Sequence, residues 1–288
     1  MNFDKFKFSN NKKFEYKNFN ASIQNLHLNK DFILSESAKN TWETKFLQDR
    51  FYAQGKESIL IILQSMDAGG KDGVIKHVMT GLNPQGVEVT NFKHPTDEEL
   101  SHDYLWRCAK KLPSKGKIGI FNRSYYEDVL IGKVHKLYKN SKLPKRCLYD
   151  DIIEKRYEQI YNFEKYLWQN GTRIIKFFLF ISKDEQKKRF MKRINRKDKN
   201  WKLEEADIKE RKYFKEYMLA YEEAINNTSS DFAPWYVVPA NEKWFSRYFI
   251  SEIIVKTLSK INPQYPKLSK DENDIILKCK KLLESEDK

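Results

Sequence analysis

The sequence predicts a three-layer α/β domain built on a five-stranded parallel sheet. Five short, almost wholly apolar runs alternate with stretches of helical spacing. Runs of that kind, bounded by turn residues, suit strands buried on both faces, as in a parallel sheet. Strands alternating with helices call for right-handed crossovers, which lay helices over both faces.

Residues 1–34 lack clear periodicity and are expected to wrap the surface as an N-terminal extension. Ser35-Glu-Ser37 opens a helix with Trp42, Phe46, Leu47 and Phe51 at helical spacing, and Gly55 stops it. The first strand is Ser58-Ile-Leu-Ile-Ile-Leu-Gln64. The others are Gly86–Phe92, Lys117–Phe121, Thr172–Ile181 and Trp235–Pro239. Capping boxes at Thr96-Asp-Glu-Glu99 and Ser182-Lys-Asp-Glu185 mark helix starts. Long helices are expected near 147–169, 204–226 and 242–260. No linker or internal repeat interrupts the chain, so residues 35–262 read as one domain. Residues 263–288, rich in Lys and Glu, read as a charged C-terminal tail, a solvated helix or a fraying end.

Composition narrows the function classes. The 288 residues carry 54 Lys+Arg against 40 Asp+Glu, a formal charge of +14. A surplus this large predicts a polyanionic partner: nucleic acid, anionic lipid or a phosphate-rich substrate. With 19 Phe, 16 Tyr and 6 Trp the chain has too many core formers to be disordered. Three distant cysteines, Cys108, Cys147 and Cys279, exclude a disulfide framework or zinc knuckle and fit a reducing compartment. The charged start has no apolar signal region, and no apolar run approaches a membrane span. A cytoplasmic location with no membrane partner is expected. The five histidines form no HxxxH or HExxH pattern, and there is no GxSxG elbow, so zinc and nucleophilic catalysis lack support.

The chemistry concentrates at three places. The first strand ends in Gln64-Ser-Met-Asp-Ala-Gly-Gly-Lys-Asp-Gly73, with a helix to follow. A glycine-containing strand-to-helix turn closing in Gly-Lys sets backbone N–H groups and a helix N-terminus around an anion, and its lysine reaches terminal phosphates. Against GxxxxGK[ST], Ser65 replaces the first Gly and Asp72 the final hydroxyl residue. That removes the usual magnesium ligand. Asp67 is the replacement, since Mg²⁺ prefers one or two carboxylates plus phosphate oxygens. The plain alternatives are a Gly-rich turn without ligand and an Asx-turn stabiliser.

The third strand ends in Phe121-Asn-Arg-Ser-Tyr-Tyr-Glu-Asp128, where a parallel sheet presents ligand-contacting residues. Arg123 is expected to point a bidentate fork into the crevice that holds Lys71. Glu127 and Asp128 fall in the first turn of the next helix, where complementing its dipole is the simpler role. The third place is the cationic run 186–202, dense beyond what solubility needs, at the position of the mobile lid of small-molecule kinases. It marks a phosphate-gripping helical lid at about 186–206 and a P-loop kinase-like domain.

Together these segments resemble the type-2 polyphosphate kinase family. Met66-Asp-Ala-Gly-Gly-Lys-Asp-Gly73 is similar to its P-loop variant. Phe92-Lys93, Pro95, Glu99-Leu100, His102-Asp103 and Leu105-Trp106-Arg107 are similar to its connector, and Phe121–Tyr126 to its [DN]-R-S-x-Y motif. Lys199-Asn-Trp-Lys-Leu203, Ala233-Pro-Trp235 and Ala240-Asn-x-Lys243 resemble its lid and C-terminal signatures. The resemblance spans about 30–262. Asn122 stands where many members carry Asp, which makes Asp128 the candidate second metal carboxylate. Gly70 replaces a commoner Ala, and Arg196-Lys197 a frequent Asp-Pro.

The resemblance implies reversible transfer of a terminal phosphoryl group from inorganic polyphosphate to a nucleotide, with Mg²⁺ (or Mn²⁺), no phosphoenzyme, and a homotetramer. It assigns catalysis to Asp67, Lys71 and Arg123, and metal binding to Asp67, with Asp128 the candidate second ligand in this chain. Phosphate binding falls to Ala68, Gly69, Gly70, Lys71, Asp72, Gly73, Arg189, Arg193 and Lys199. The nucleotide acceptor, a nucleoside mono- or diphosphate, falls to Arg123, Glu127 and Lys202. Glu127, where other members have Asn, resembles the subgroup acting on both mono- and diphosphates. The charge surplus agrees, because a basic channel binds a polyanion through counterion release. An ATP-dependent nucleoside or thymidylate kinase shares the P-loop, arginine motif and lid. A nucleic-acid-binding P-loop protein is suggested by charge alone, and aromatics are not interleaved as stacking platforms.

Overall fold

The five anticipated runs form strands of one sheet in the computed structural model, which describes residues 3–10, 12–140 and 143–286. The strands are β1 (Lys7–Phe8), β2 (Ser58–Gln64), β3 (Val87–Asn91), β4 (Ile118–Asn122), β5 (Thr172–Phe180) and β6 (Trp235–Pro239). Their order is β1-β6-β5-β2-β4-β3, with β2 to β6 parallel and β1 antiparallel to β6. The expected five-stranded parallel sheet is thus a mixed sheet of six. The additional strand, β1, is two residues long, too short to leave a periodic signal.

The helices are α1 (Lys30–Gln54), α2 (Lys71–Val78), α3 (Asp97–Ser101), α4 (Trp106–Ala109), α5 (Ile131–Val134) and α6 (Ile152–Gln169). Then come α7 (Lys183–Ile194), α8 (Glu205–Glu210), α9 (Phe214–Thr228), α10 (Lys243–Ile261) and α11 (Lys270–Glu286). The helix expected at 204–226 is broken by a 3₁₀ turn, Arg211–Tyr213, into α8 and α9. The one expected at 147–169 starts at Ile152. Every residue of α11 is exposed, and the last two residues of the expected tail lie outside the described residues.

Side chains of a strand alternate between faces, so one apolar run feeds two cores. Leu60 and Ile62 join Phe121, Ile174, Phe178 and Trp235 under α6 and α9. Ile59, Ile61 and Leu63 join Ile120, Phe177 and Leu179 under α1, α2 and α10. All seven residues of β2 are buried. Full burial of such side chains contributes about 1.5–3 kcal/mol each, an upper bound set by the extended-chain reference. The edge strand β3 departs from the expectation of burial on both faces, and Val89 is exposed.

The N-terminal extension does more than wrap the surface. Phe3 and Phe6 enter one core, Phe8 and Phe14 the other, and β1 covers the β6 edge. Helix α1 starts at Lys30, before the expected Ser35, because Asn29 caps it by accepting from the Phe32 N–H. Trp42 and Phe46 are exposed and their rings pack against each other at a tilt of 58°. Phe51 is buried as expected, and the buried face of α1 also carries Ile33, Asn40, Thr44 and Gln48, with Asn40 donating to Ser251 and Glu252 of α10.

The chain leaves β2 toward one face, where Val74 and Val78 of α2 are buried, and leaves β4 toward the other, where Tyr125 and Tyr126 are buried. Neighbouring strands that send their connections to opposite faces open a crevice at their carboxyl ends. The loops carrying Lys71 and Arg123 meet there.

Candidate functional site at the carboxyl ends of β2 and β4

The loop between β2 and α2 is shaped by backbone that L-residues rarely adopt. Ala68 has φ +63° and Gly70 φ +110°. A Cβ on Gly69 would lie 2.3 Å from Ser65 Oγ, so the loop closes this tightly only with glycine there. Lys71, at the start of α2, is buried and its Nζ donates to Ser65 O and Oγ, both at 3.0 Å. Burial, and then the nearby Arg123 cation, lower the Lys71 pKa, against the pull of Asp67, Glu127 and Asp72. A cation so placed gains most from an anion brought beside it.

Arg123 extends the β4 ladder by one bond, donating its N–H to Leu63 O at 3.1 Å, and turns with φ +63°. Its Nη2 donates to Asp67 Oδ1 at 2.7 Å, and Nη1 lies 3.8 Å from Glu127 Oε2. Burial works against the guanidinium charge, but Glu127 and Asp67 outweigh it and hold the pKa above its ordinary value. Burial raises the Glu127 pKa despite Arg123 and Lys71. Asp67, Lys71, Arg123 and Glu127 thus form one electrostatic group.

Asp128 is placed elsewhere. Its carboxylate pairs with Arg156 Nε at 3.2 Å, and Arg156 lies over the Tyr104 ring. Residues Tyr125–Asp128 form a 3₁₀ turn rather than the expected helix start, and its consecutive side chains diverge. Glu127 therefore faces the crevice and Asp128 does not join Asp67. Asn122 donates its amide to Asp72 Oδ1 at 3.0 Å, while its own buried Oδ1 has no hydrogen-bond partner.

Among the described residues no three His, Cys, Asp or Glu are grouped to hold a metal unaided. The donor set of Asp67 and Glu127, with the orphaned Asn122 oxygen at the end of β4, fits a cation that takes few carboxylates and completes its shell with phosphate oxygens and water. It does not fit a closed zinc site.

In α7, Ser182 caps the helix as expected by accepting from the Glu185 N–H, while the Glu185 side chain pairs with Arg189 at 2.8 Å. Arg189, expected to grip phosphate, is buried. It donates to Ala68 O at 3.0 Å, Gly69 O at 2.8 Å and Asn241 O at 3.1 Å, and also to Ala240 O. It braces the loop from behind. Gln186, buried beside it, donates to Asp67 O at 3.1 Å. Arg193 donates to Lys202 O at 3.0 Å and pairs with Asp207. Lys202 reaches across to Asp72 Oδ2 at 2.8 Å, tying the cationic segment to α2. Burial raises the Asp72 pKa, but Lys202 and Asn122 win and hold it low.

Lys199 belongs to a different group. Burial, then Arg189, Lys192, Lys199 and Arg247, depress the Lys243 pKa, so these cations crowd together. Arg247 also approaches α2, its Nη2 3.6 Å from the position a Gly73 Cβ would take. Sequence reading misses Gln186 and Arg247, because their roles depend on contacts about 120 and 175 residues away. A short signature points to Lys243 alone.

The sequence profile of the polyphosphate kinase 2 family matches residues 27–266. The chain is 49% identical over 222 residues to an ADP-polyphosphate phosphotransferase of Rhodopseudomonas palustris, covering 76% of this chain and 77% of that one. It is 46% identical over 220 residues to an AMP/ADP-polyphosphate phosphotransferase of Meiothermus ruber, covering 76% and 79%. The crystal structure of polyphosphate kinase 2 from Arthrobacter aurescens TC1 matches with a TM-score of 0.85 at 36% identity, over 96% of each chain. Fold, crevice and these likenesses place the chain among phosphoryl-transferring enzymes. It belongs to the polyphosphate kinase 2 family.

No described helix is long and apolar enough to cross a membrane.

Proposed function

We propose that this enzyme transfers the terminal phosphoryl group of inorganic polyphosphate to AMP and ADP, reversibly, at the crevice between β2 and β4. The observation that carries the reading is the cation group beside the phosphate loop. Lys192, Lys199, Lys243 and Arg247 lie together, and none is ion-paired among the described residues. Unpaired cations crowded this closely repel one another and are relieved by a multiply charged anion. A polyphosphate chain running off the loop supplies such an anion. A lone nucleotide supplies far less.

Phosphoryl transfer needs positioning and charge stabilisation more than covalent chemistry. In a P-loop kinase-like arrangement, the Ala68–Gly73 backbone and Lys71 hold the transferring phosphates, and Arg123 stabilises charge as the phosphoryl group moves. Glu127 lines the acceptor side. Asp67, with Glu127 rather than Asp128 as its neighbour, would hold Mg²⁺ (or Mn²⁺), which neutralises phosphate charge when bound. A cytoplasmic homo-oligomer is the setting that free cysteines and the family resemblance favour, with no nucleic-acid partner.

The test uses polyphosphate and Mg²⁺ as the only phosphate source. ATP from ADP, and ADP from AMP, are the expected products, lost on chelation. Raising salt should weaken polyphosphate binding far more than nucleotide binding, since more counterions are released. Product formation only when ATP is supplied would replace this reading with an ATP-dependent nucleoside kinase. No transfer at all would leave a binding protein.

A further inference from the structure

One charge pair lies wholly outside the crevice and has no exposed side-chain surface. Lys176 of β5 places Nζ 2.5 Å from Glu164 Oε2 of α6. Taking both charges from water costs more than apolar side chains of the same volume would, so packing alone does not account for the pair. Its remaining bonds show what it serves. Glu164 Oε1 accepts from the hydroxyls of Tyr125 and Tyr126, each at 2.9 Å. Lys176 donates to Tyr126 Oη at 3.1 Å and to Thr228 O at 2.8 Å. Trp235 Nε1 donates to Thr228 Oγ1 at 3.0 Å, which also lies 2.9 Å from Tyr126 Oη.

Tyr125 and Tyr126 follow Arg123 by two and three residues. Arg123 sits at φ +63°, a conformation an L-residue holds only when its surroundings impose it. On one side its N–H is fixed to β2. On the other, the two tyrosines are fixed to the buried pair. We infer that Lys176 and Glu164 are positioning residues: by anchoring the Tyr125–Tyr126 turn they hold Arg123 in the strained geometry that aims its guanidinium at Asp67. The inference rests on the charge-stabilising role proposed for Arg123.

The experiment is a double-mutant cycle between the buried pair and Arg123, read as polyphosphate-driven ATP formation. Glu164→Met with Lys176→Met removes both charges together and leaves no lone buried ion. It should still unfold cooperatively, lower kcat on the order of 10–100-fold, the scale of a misplacement of about 1 Å, and leave KM for polyphosphate within about twofold. In an Arg123→Ala background the same pair change should cost nothing further, because the group it positions is gone. Unchanged kcat where Arg123 is intact, or equal losses with and without Arg123, overturns the inference while leaving the role of Arg123 standing. Full activity of Arg123→Ala alone overturns that role and the inference with it. Where the pair variant fails to fold, Tyr126→Phe in the same two backgrounds decides. It keeps the ion pair, removes one anchoring hydroxyl, and should lower kcat only where Arg123 is present.

Discussion

Two cation–carboxylate pairs in this protein have similar chemistry and opposite surroundings. Asp67–Arg123 meets at 2.7 Å with about a third of each side chain exposed, while Glu164–Lys176 meets at 2.5 Å with none. Water screens the first pair and lets either partner exchange its bond for a ligand. The second has no such alternative, since breaking it strands a charge in the core. The same ion pair can therefore be a replaceable contact in the crevice and a fixed support beneath it.

Stability should separate the two most sharply. Glu164→Ala leaves the Lys176 ammonium buried without its partner and should cost about 3–5 kcal/mol in denaturant unfolding. Arg123→Ala should cost under about 1 kcal/mol, as for other partly exposed pairs. Equal losses would mean that burial does not distinguish the pairs.

Activity should reverse that order. Lys71→Ala and Asp67→Asn should each lower turnover about 10²–10³-fold, the worth of one preorganised charge-stabilising group, with unfolding midpoints close to the parent. Near-normal turnover in either variant would remove that residue from the mechanism.

The two regions also differ in how far the sequence discloses them. That Asp67, Lys71 and Arg123 meet is legible, because each stands at a strand end in a short local pattern. The five apolar runs are legible for the same reason, as Ile59 to Leu63 show. The second-layer supports are not. Glu164 and Lys176 sit inside an amphipathic helix and an apolar strand, and Lys176 reads there only as an interruption. The brace from Arg189 goes to backbone carbonyls that no sequence pattern encodes. The direction of Glu127 against Asp128 depends on a 3₁₀ turn where helix-start signals predict an α-helix. Asn40, Thr44 and Gln48 share the buried face of α1 with Ile33 and Phe51, and Asn40 is satisfied there by Ser251 and Glu252 of α10, two hundred residues on. Trp42 and Phe46, the obvious core candidates, face outward.

Glu127 lies between the two regimes and gives the smallest and finest test. It shares Arg123 with Asp67, yet burial outweighs Arg123 and Lys71 and raises its pKa above the ordinary 4.5. A raised folded-state pKa means that the folded chain binds this proton more tightly than the unfolded chain. Its contribution to stability is therefore complete below about pH 4.5 and is lost as pH climbs through the folded value. Glu127→Gln keeps the shape and stays neutral at every pH. The variant should melt above the parent at pH 7, and the gap should close as pH falls toward 4.5. A gap independent of pH, or a less stable variant at pH 7, would show that Arg123 and Lys71 offset the burial of Glu127 in full. Glu127 would then belong with the screened pair of the crevice, and the boundary between the two regimes would lie deeper, at Tyr125 and Tyr126.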